Sequence, residues 1–162
     1  MKLEDVYRKL QPNIYAYFYV KTLHREAAED LTHEVFYLAF KNFSSFKGKS
    51  TIKTWVFSIA KNVLKNYYRS QKYHQRLTEK MEKEKTITET LENEVVKKEN
   101  NAEVLHLIHS LNYPEKDIVV FRIFGELSFR EIGDLLGKSE NYARITFHRA
   151  KLKLQKELKK DE

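Results

Sequence analysis

The fold is decided by the stretch Leu127–Leu154, LSFREIGDLLGKSENYARITFHRAKLKL. Ser128 followed by Glu131 has the spacing of a capping box, in which side chain and backbone satisfy each other's free donors at a helix start. The helix it opens, SFREIGDLL, ends at Gly137, which can take the left-handed conformation a sharp turn needs. Ser139 then caps a longer helix in which Ala143, Phe147, Ala150 and Leu154 share one stripe. Ile132 and Leu135 face inward, and the small Ala143 lets the two helices cross closely. A short helix, a glycine turn and a longer basic helix form a helix-turn-helix, whose second helix lays its N-terminal half in a DNA major groove. An ordinary helical hairpin with a basic exterior satisfies the same pattern with lower odds.

Upstream of this motif, Leu105, Ile108 and Leu111 make a stripe that stops before Pro114. The segment PEKDIVVFRIFG then reads as a helix with Pro114 in its first turn and Gly125 as its stop. Near the N-terminus, Val6, Leu10, Ile14, Tyr17 and Phe18 recur at helical spacing, with Pro12 expected to bend or divide that helix. A second helix, about Ala27 to Asn42, aligns Leu31, Val35, Leu38 and Ala39, with Phe36 and Phe40 on its flank. The loop FSSFKGKST (residues 43–51) follows, and Ser50 or Thr51 can cap a third helix running from about Thr51 to Gln71. There Trp55, Ile59, Val63 and Tyr67 recur every fourth residue, beside Val56, Ala60 and Leu64. Residues 72–101 lose the pattern and are dense in Glu and Lys, which predicts a flexible linker without a core. The expected fold is therefore all-α. Two small helical domains, 1–71 and 102–162, are joined by a charged linker, and the second contains the helix-turn-helix.

Composition agrees. The 162 residues hold only 4 Gly and 2 Pro, too few for a turn-rich β fold, and no Cys, which excludes disulfides and thiolate metal sites. No signal peptide or membrane-length apolar run is visible, so a cytoplasmic protein is expected. Net charge is +7. From Lys53 to Arg76 there are six basic residues and no acid, interleaved with Trp55, Tyr67, Tyr68 and Tyr73. Such a segment suits a nucleic-acid surface, and on charge alone a solvated lysine-rich face is about equally good. The six histidines are scattered, with no HExxH, and neither a phosphate-cradling glycine motif nor a catalytic constellation is visible. No metal, no cofactor and no enzymatic activity are expected.

Three segments in order resemble the extracytoplasmic-function subgroup of bacterial RNA polymerase sigma factors: DLTHEVFYLAFKNFSSF, TWVFSIAKNVLKNYYR and LSFREIGDLLGKSENYARITFHRAKLKL. The resemblance covers nearly everything except the linker and both ends, and it implies a protein that directs promoter recognition by core polymerase. It assigns Asp30, His33 and Glu34 to the clamp helices of the polymerase β′ subunit, with His33 where the family usually has Gln. It assigns Phe43, Ser44, Ser45, Phe46, Lys47 and Gly48 of the loop to the minus-ten element. Lys61, Asn62, Lys65, Asn66 and Arg69 of the third helix belong to the same assignment, with Asn66 replacing the usual Asp. Ser139, Asn141, Tyr142, Arg144, Ile145, Thr146, His148 and Arg149 then fall to the minus-thirty-five element, where Ile145 and Thr146 depart from the commoner Ser and Arg. Further partners implied are the polymerase β flap, promoter DNA and an anti-sigma factor, often membrane-bound. Trp55, on the inward stripe, is expected in the core more than as a melting wedge. The competing readings are a stand-alone helix-turn-helix regulator of duplex operators and a helical adaptor whose basic charge is incidental.

Overall fold

A computed structural model describes residues 2–79 and 99–160. Seven α-helices make up the described chain: α1 (Leu3–Thr22), α2 (Arg25–Lys41), α3 (Ile52–Glu79), α4 (Glu99–Ser110), α5 (Glu115–Ile123), α6 (Phe129–Leu136) and α7 (Glu140–Lys160). A single 3₁₀ turn, Phe43–Ser45, lies between α2 and α3. No strand occurs among the described residues.

The N-terminal helices pack as a three-helix unit. Val6, Leu10, Ile14, Tyr17 and Phe18 of α1 are buried, as their spacing predicts. Pro12 neither divides nor ends the helix, which runs unbroken through it to Thr22. Leu23, in the left-handed region at φ 53°, turns the chain. His24 starts α2, its Nδ1 accepting the Ala27 N–H at 3.1 Å in the role Ser or Asp usually fills.

In α2 the buried face is Ala28, Leu31, Thr32, Val35, Phe36 and Ala39, so Phe36 belongs to the core and Leu38 is only half-buried. In α3 the buried positions are Thr54, Val56, Phe57, Ala60, Val63 and Leu64. The expected stripe is therefore rotated, with Trp55, Ile59 and Tyr67 half-buried along its edge. The fourth-residue repeat drifts about 40° per step around a 3.6-residue helix, so only part of such a row can face one core. Thr51 caps α3, its hydroxyl accepting the Thr54 N–H at 3.1 Å. The helix continues past Gln71 to Glu79, so residues 72–79, expected in the linker, are helical. The rest of the expected linker, 80–98, lies outside the described residues.

The C-terminal helices enclose Ile108, Ile118, Val119, Val120, Phe121, Leu127, Ile132, Ala143 and Ala150. The capping box forms as its spacing predicts: Glu131 N–H to Ser128 Oγ at 3.1 Å, and Ser128 N–H to Glu131 Oε1 at 3.0 Å. Gly137 takes φ 67° at the end of α6. Gly125 does not adopt a positive φ; Glu126 does, at 55°. What needs a glycine at 125 is space. A Cβ there would stand 2.7 Å from the Phe121 carbonyl oxygen and 3.2 Å from the ring of Phe57. Phe57 belongs to α3, so the two helical units meet at this point.

Candidate nucleic-acid and polymerase interfaces

The outer face of α2 carries Asp30, His33 and Glu34, all exposed, on the side opposite Ala28, Leu31 and Val35. Tyr37 and Phe40 continue this face and are 63% and 44% exposed, large apolar groups on an otherwise polar ridge. Exposed aromatics are enriched in protein contacts, whose charged groups lie at the polar rim. The sequence placed Phe40 only on a flank and did not single out Tyr37. The signal was there in their spacing, since Tyr37 lies three residues from Glu34 and four from His33, and Phe40 three from Tyr37.

The loop between α2 and α3 is built on an aromatic cluster. Phe43 and Phe46 turn inward against Trp55, at ring-centroid distances of 6.3 and 5.3 Å. Trp55 is thus half-buried beneath the loop, a support for it more than a free wedge. Ser44, Ser45, Lys47 and Gly48 face solvent, and Gly48 turns the chain at φ 72°. The Ser45 hydroxyl donates to the Asn42 carbonyl at 2.6 Å, fastening the first turn. The loop residues therefore separate into an anchoring pair and a polar outer rim.

On α3, Asn62, Lys65, Asn66 and Arg69 are exposed along one side, contiguous with the loop. Lys61 is the exception. It is half-buried and donates to the Leu135 carbonyl at 3.2 Å, across the junction with α6. Tyr67 and Tyr68 pack against each other at 5.7 Å, and Tyr68 donates to the Lys21 carbonyl at 2.8 Å. Burial above all, with the neighbouring Tyr67 and Asp117, pushes the Tyr68 phenol up to about 12. It is a packing residue in this arrangement. Tyr73 is exposed.

In the helix-turn-helix, Ser139 caps α7 by accepting the Tyr142 N–H at 3.0 Å. Asn141, Arg144, Ile145, His148 and Arg149 are exposed. Thr146, assigned with them in the sequence, is instead buried. It is only 9% exposed and stands between Ala143 and Ala150, three and four residues away on the buried stripe. Tyr142 is half-buried, with the Lys138 ammonium 5.4 Å above its ring.

Phe129 organises the basic groups here. The Arg122 guanidinium lies 4.1 Å and that of Arg144 5.6 Å from its ring centre, and the His148 ring lies 6.1 Å away. Arg144 also pairs with Glu140 at 3.1 Å one turn earlier, an exposed pair worth only a few tenths of a kcal/mol. Such a weak restraint leaves the guanidinium free to exchange its carboxylate for a base edge or phosphate.

Gly133, in the middle of α6, was not recognised as a special position. A Cβ there would meet the Lys138 carbonyl oxygen at 2.7 Å and the Ser139 carbonyl at 3.0 Å. The α6–α7 crossing is therefore closed by backbone against backbone. Among the described residues no group of three His, Asp or Glu side chains could hold a metal ion, and no helix is long and apolar enough to cross a membrane.

Comparison with known proteins shows the family. Residues 6–73 match the Sigma-70 region 2 family model, and residues 101–154 match Sigma-70, region 4. RNA polymerase sigma factor YlaC of Bacillus subtilis is 32% identical, across 98% of this chain and 92% of its own length. ECF RNA polymerase sigma factor SigX of the same organism is 24% identical, over 96% of this chain and 81% of its own. Among solved structures, sigma factor RpoE of Bartonella quintana, in complex with the anti-sigma factor NepR, superposes with a TM-score of 0.73. That match covers 98% of both chains at 16% identity.

Proposed function

The chain belongs to the extracytoplasmic-function subgroup of RNA polymerase sigma factors, and on that premise we propose how its surfaces divide the work of promoter recognition. Asp30, Glu34 and the exposed aromatics Tyr37 and Phe40 of α2 dock on core polymerase at the β′ clamp helices, with His33 on the same face. The polar rim Ser44, Ser45, Lys47 and Gly48 reads unpaired bases of the minus-ten element. Asn62, Lys65, Asn66 and Arg69 carry the displaced backbone past it. Phe43, Phe46 and Trp55 hold that rim in place.

Arg144, Ile145, His148 and Arg149 read the minus-thirty-five duplex in the major groove, with Asn141 near the groove edge. Ser139 and Tyr142 act by holding the start of α7. Thr146 supports the helix from within. The C-terminal unit also meets the β flap, and an anti-sigma factor restrains the whole, as the complex of sigma factor RpoE with the anti-sigma factor NepR suggests by analogy.

The observation that carries this reading is the presence in one chain of both sigma segments, each offering its basic, DNA-directed side chains to solvent. A stand-alone operator-binding regulator leaves the acid-free face of α3 and its loop without a task. Reconstituted transcription with purified core polymerase on a promoter library tests it. Start sites that depend on this chain, with two sequence preferences about 25 base pairs apart, are expected. Duplex binding without any polymerase-dependent initiation would overturn it.

A further inference from the structure

The ridge of α7 that stands furthest from its own core is not basic. Ala143, Thr146 and Ala150 are buried and Phe147 is half-buried, which fixes the inward side of the helix. At about 100° per residue, Asn141, Ile145, His148 and Leu152 all lie within about 30° of the opposite direction. All four are exposed. Arg144 and Arg149 fall about 70° to either side of that ridge. Contacts on the α6 side hold Arg144 there: its guanidinium is bound to Glu140 at 3.1 Å and lies 5.6 Å from the Phe129 ring centre. The His148 ring stands 6.1 Å from the same ring. Ile145, 43% exposed, is thus an aliphatic side chain at the front of the helix with an arginine on each flank.

A single aliphatic group elsewhere on a protein surface needs no task. Ile145 differs in what it faces. It is the sixth of the 21 residues of α7, in the half of a recognition helix that reaches base edges. Its side chain has no donor and no acceptor, so it can hold neither a phosphate nor a polar base edge. Against it, the acceptors and amino donors that base pairs show in the major groove would be buried without partners, which costs free energy. The thymine 5-methyl is the one major-groove group that matches it. The β-branched side chain also has one strongly preferred χ1 rotamer in a helix, so little freedom is lost on meeting a fixed partner.

We propose that Ile145 is a specificity-determining residue for the upstream duplex, selecting one thymine by its 5-methyl group and rejecting the polar edges of other bases. This deepens the assignment of α7 to the minus-thirty-five element and rests on it. Arg144 and Arg149 make their contacts on the two flanks of that base pair.

The test uses holoenzyme assembled from the full chain and purified core polymerase. Selection from a promoter library randomised in the upstream element gives the preferred duplex. Each upstream thymine of that duplex is then replaced in turn by deoxyuridine, which lacks only the methyl group and keeps every pairing group. One replacement is expected to weaken parental binding about fourfold, the effect of returning one methyl contact to water. Ile145→Ala holoenzyme is expected to bind thymine and deoxyuridine equally at that position. Ile145→Val, which keeps the branch at Cβ, is expected to retain most of the discrimination. Arg144→Ala is expected to keep the methyl dependence while relaxing preference at another base pair. A selected site without an upstream thymine, or without methyl dependence at any thymine, overturns the proposal alone. So does a methyl dependence that survives Ile145→Ala. A library that initiates but shows no upstream preference overturns the minus-thirty-five assignment and the proposal with it.

Discussion

Gly133→Ala sets two well-defined energies against each other. Gly133 lies inside α6, where replacing Gly by Ala favours the helix by about 1 kcal/mol. The added Cβ, however, would sit 2.7 Å from the Lys138 carbonyl oxygen and 3.0 Å from the Ser139 carbonyl carbon and oxygen. Relief to an ordinary 3.4 Å contact requires about 0.7 Å of separation, and the opposing atoms are backbone, so no side chain can swing aside. Overpacking of this kind costs about 1–3 kcal/mol. The Lys138 N–H bond to Gly133 O, at 2.8 Å, is strained by the same movement.

The net expectation is destabilisation of up to about 2 kcal/mol, with α7 displaced relative to α6. Gly137→Ala is the contrasting case. It has open space around it and only the left-handed backbone against it, at φ 67°, for about 1–2 kcal/mol. Urea denaturation followed by circular dichroism gives both stabilities. Duplex binding by the folded variants reads the crossing, and Gly133→Ala should lose affinity beyond its stability loss. A Gly133→Ala variant stabilised by about 1 kcal/mol, as helix propensity alone dictates, would refute the close-approach argument.

Arg144 and Arg149 lie five residues, about 140° of rotation, apart on α7. Arg144→Ala should therefore cost about 1–3 kcal/mol at one upstream base pair, and Arg149→Ala should weaken binding uniformly and lower the salt slope by about one; salt titrations on a site library separate the two. Asp30→Lys with Glu34→Lys should reduce co-purification with core polymerase without altering thermal stability, since both side chains are exposed off the buried stripe. His109 has a buried Nε2 without a partner, and burial first, then Lys116, lowers its pKa from about 6.5. Because the unfolded chain takes up this proton first, stability should fall as pH drops through about 6.5, and a His109→Leu variant should lack that slope in denaturant midpoints measured from pH 7.5 to 5.

The helices that bear function were readable because their signals are local. Ser128 with Glu131, Gly137 and Ser139 specify a start, a stop and a second start within a dozen residues, and each forms as its chemistry requires. The exposure of Arg144, His148 and Arg149 follows from the Ala143–Ala150 stripe. The burial of Thr146 was not legible because threonine is polar and a buried threonine leaves no mark in periodicity. The rotation of the α3 stripe toward Phe57 has a different cause. Phe57 is buried by Tyr17 and Phe121, from two other helices, and only tertiary packing reveals that demand. The same holds for Gly125 and Gly133, whose need for space comes from chain passing nearby, and for Lys61, drawn aside by a carbonyl of another helix.

The length of α3 has a mechanical consequence. Its last side chain fastened to the body is Tyr68, which donates to the Lys21 carbonyl, yet the helix continues to Glu79, eleven residues or about 16 Å further. That overhang carries Arg69, Lys72 and Arg76 and no acid before its end. A cantilever of this length turns small rotations into large excursions: tilting the fastened base by 10° sweeps the free tip through about 3 Å. This is comparable with the distance over which an arginine gains or loses a phosphate. Slight repacking around Leu64 and Tyr68 would thereby retune contacts about three helical turns away, without any change at the tip itself.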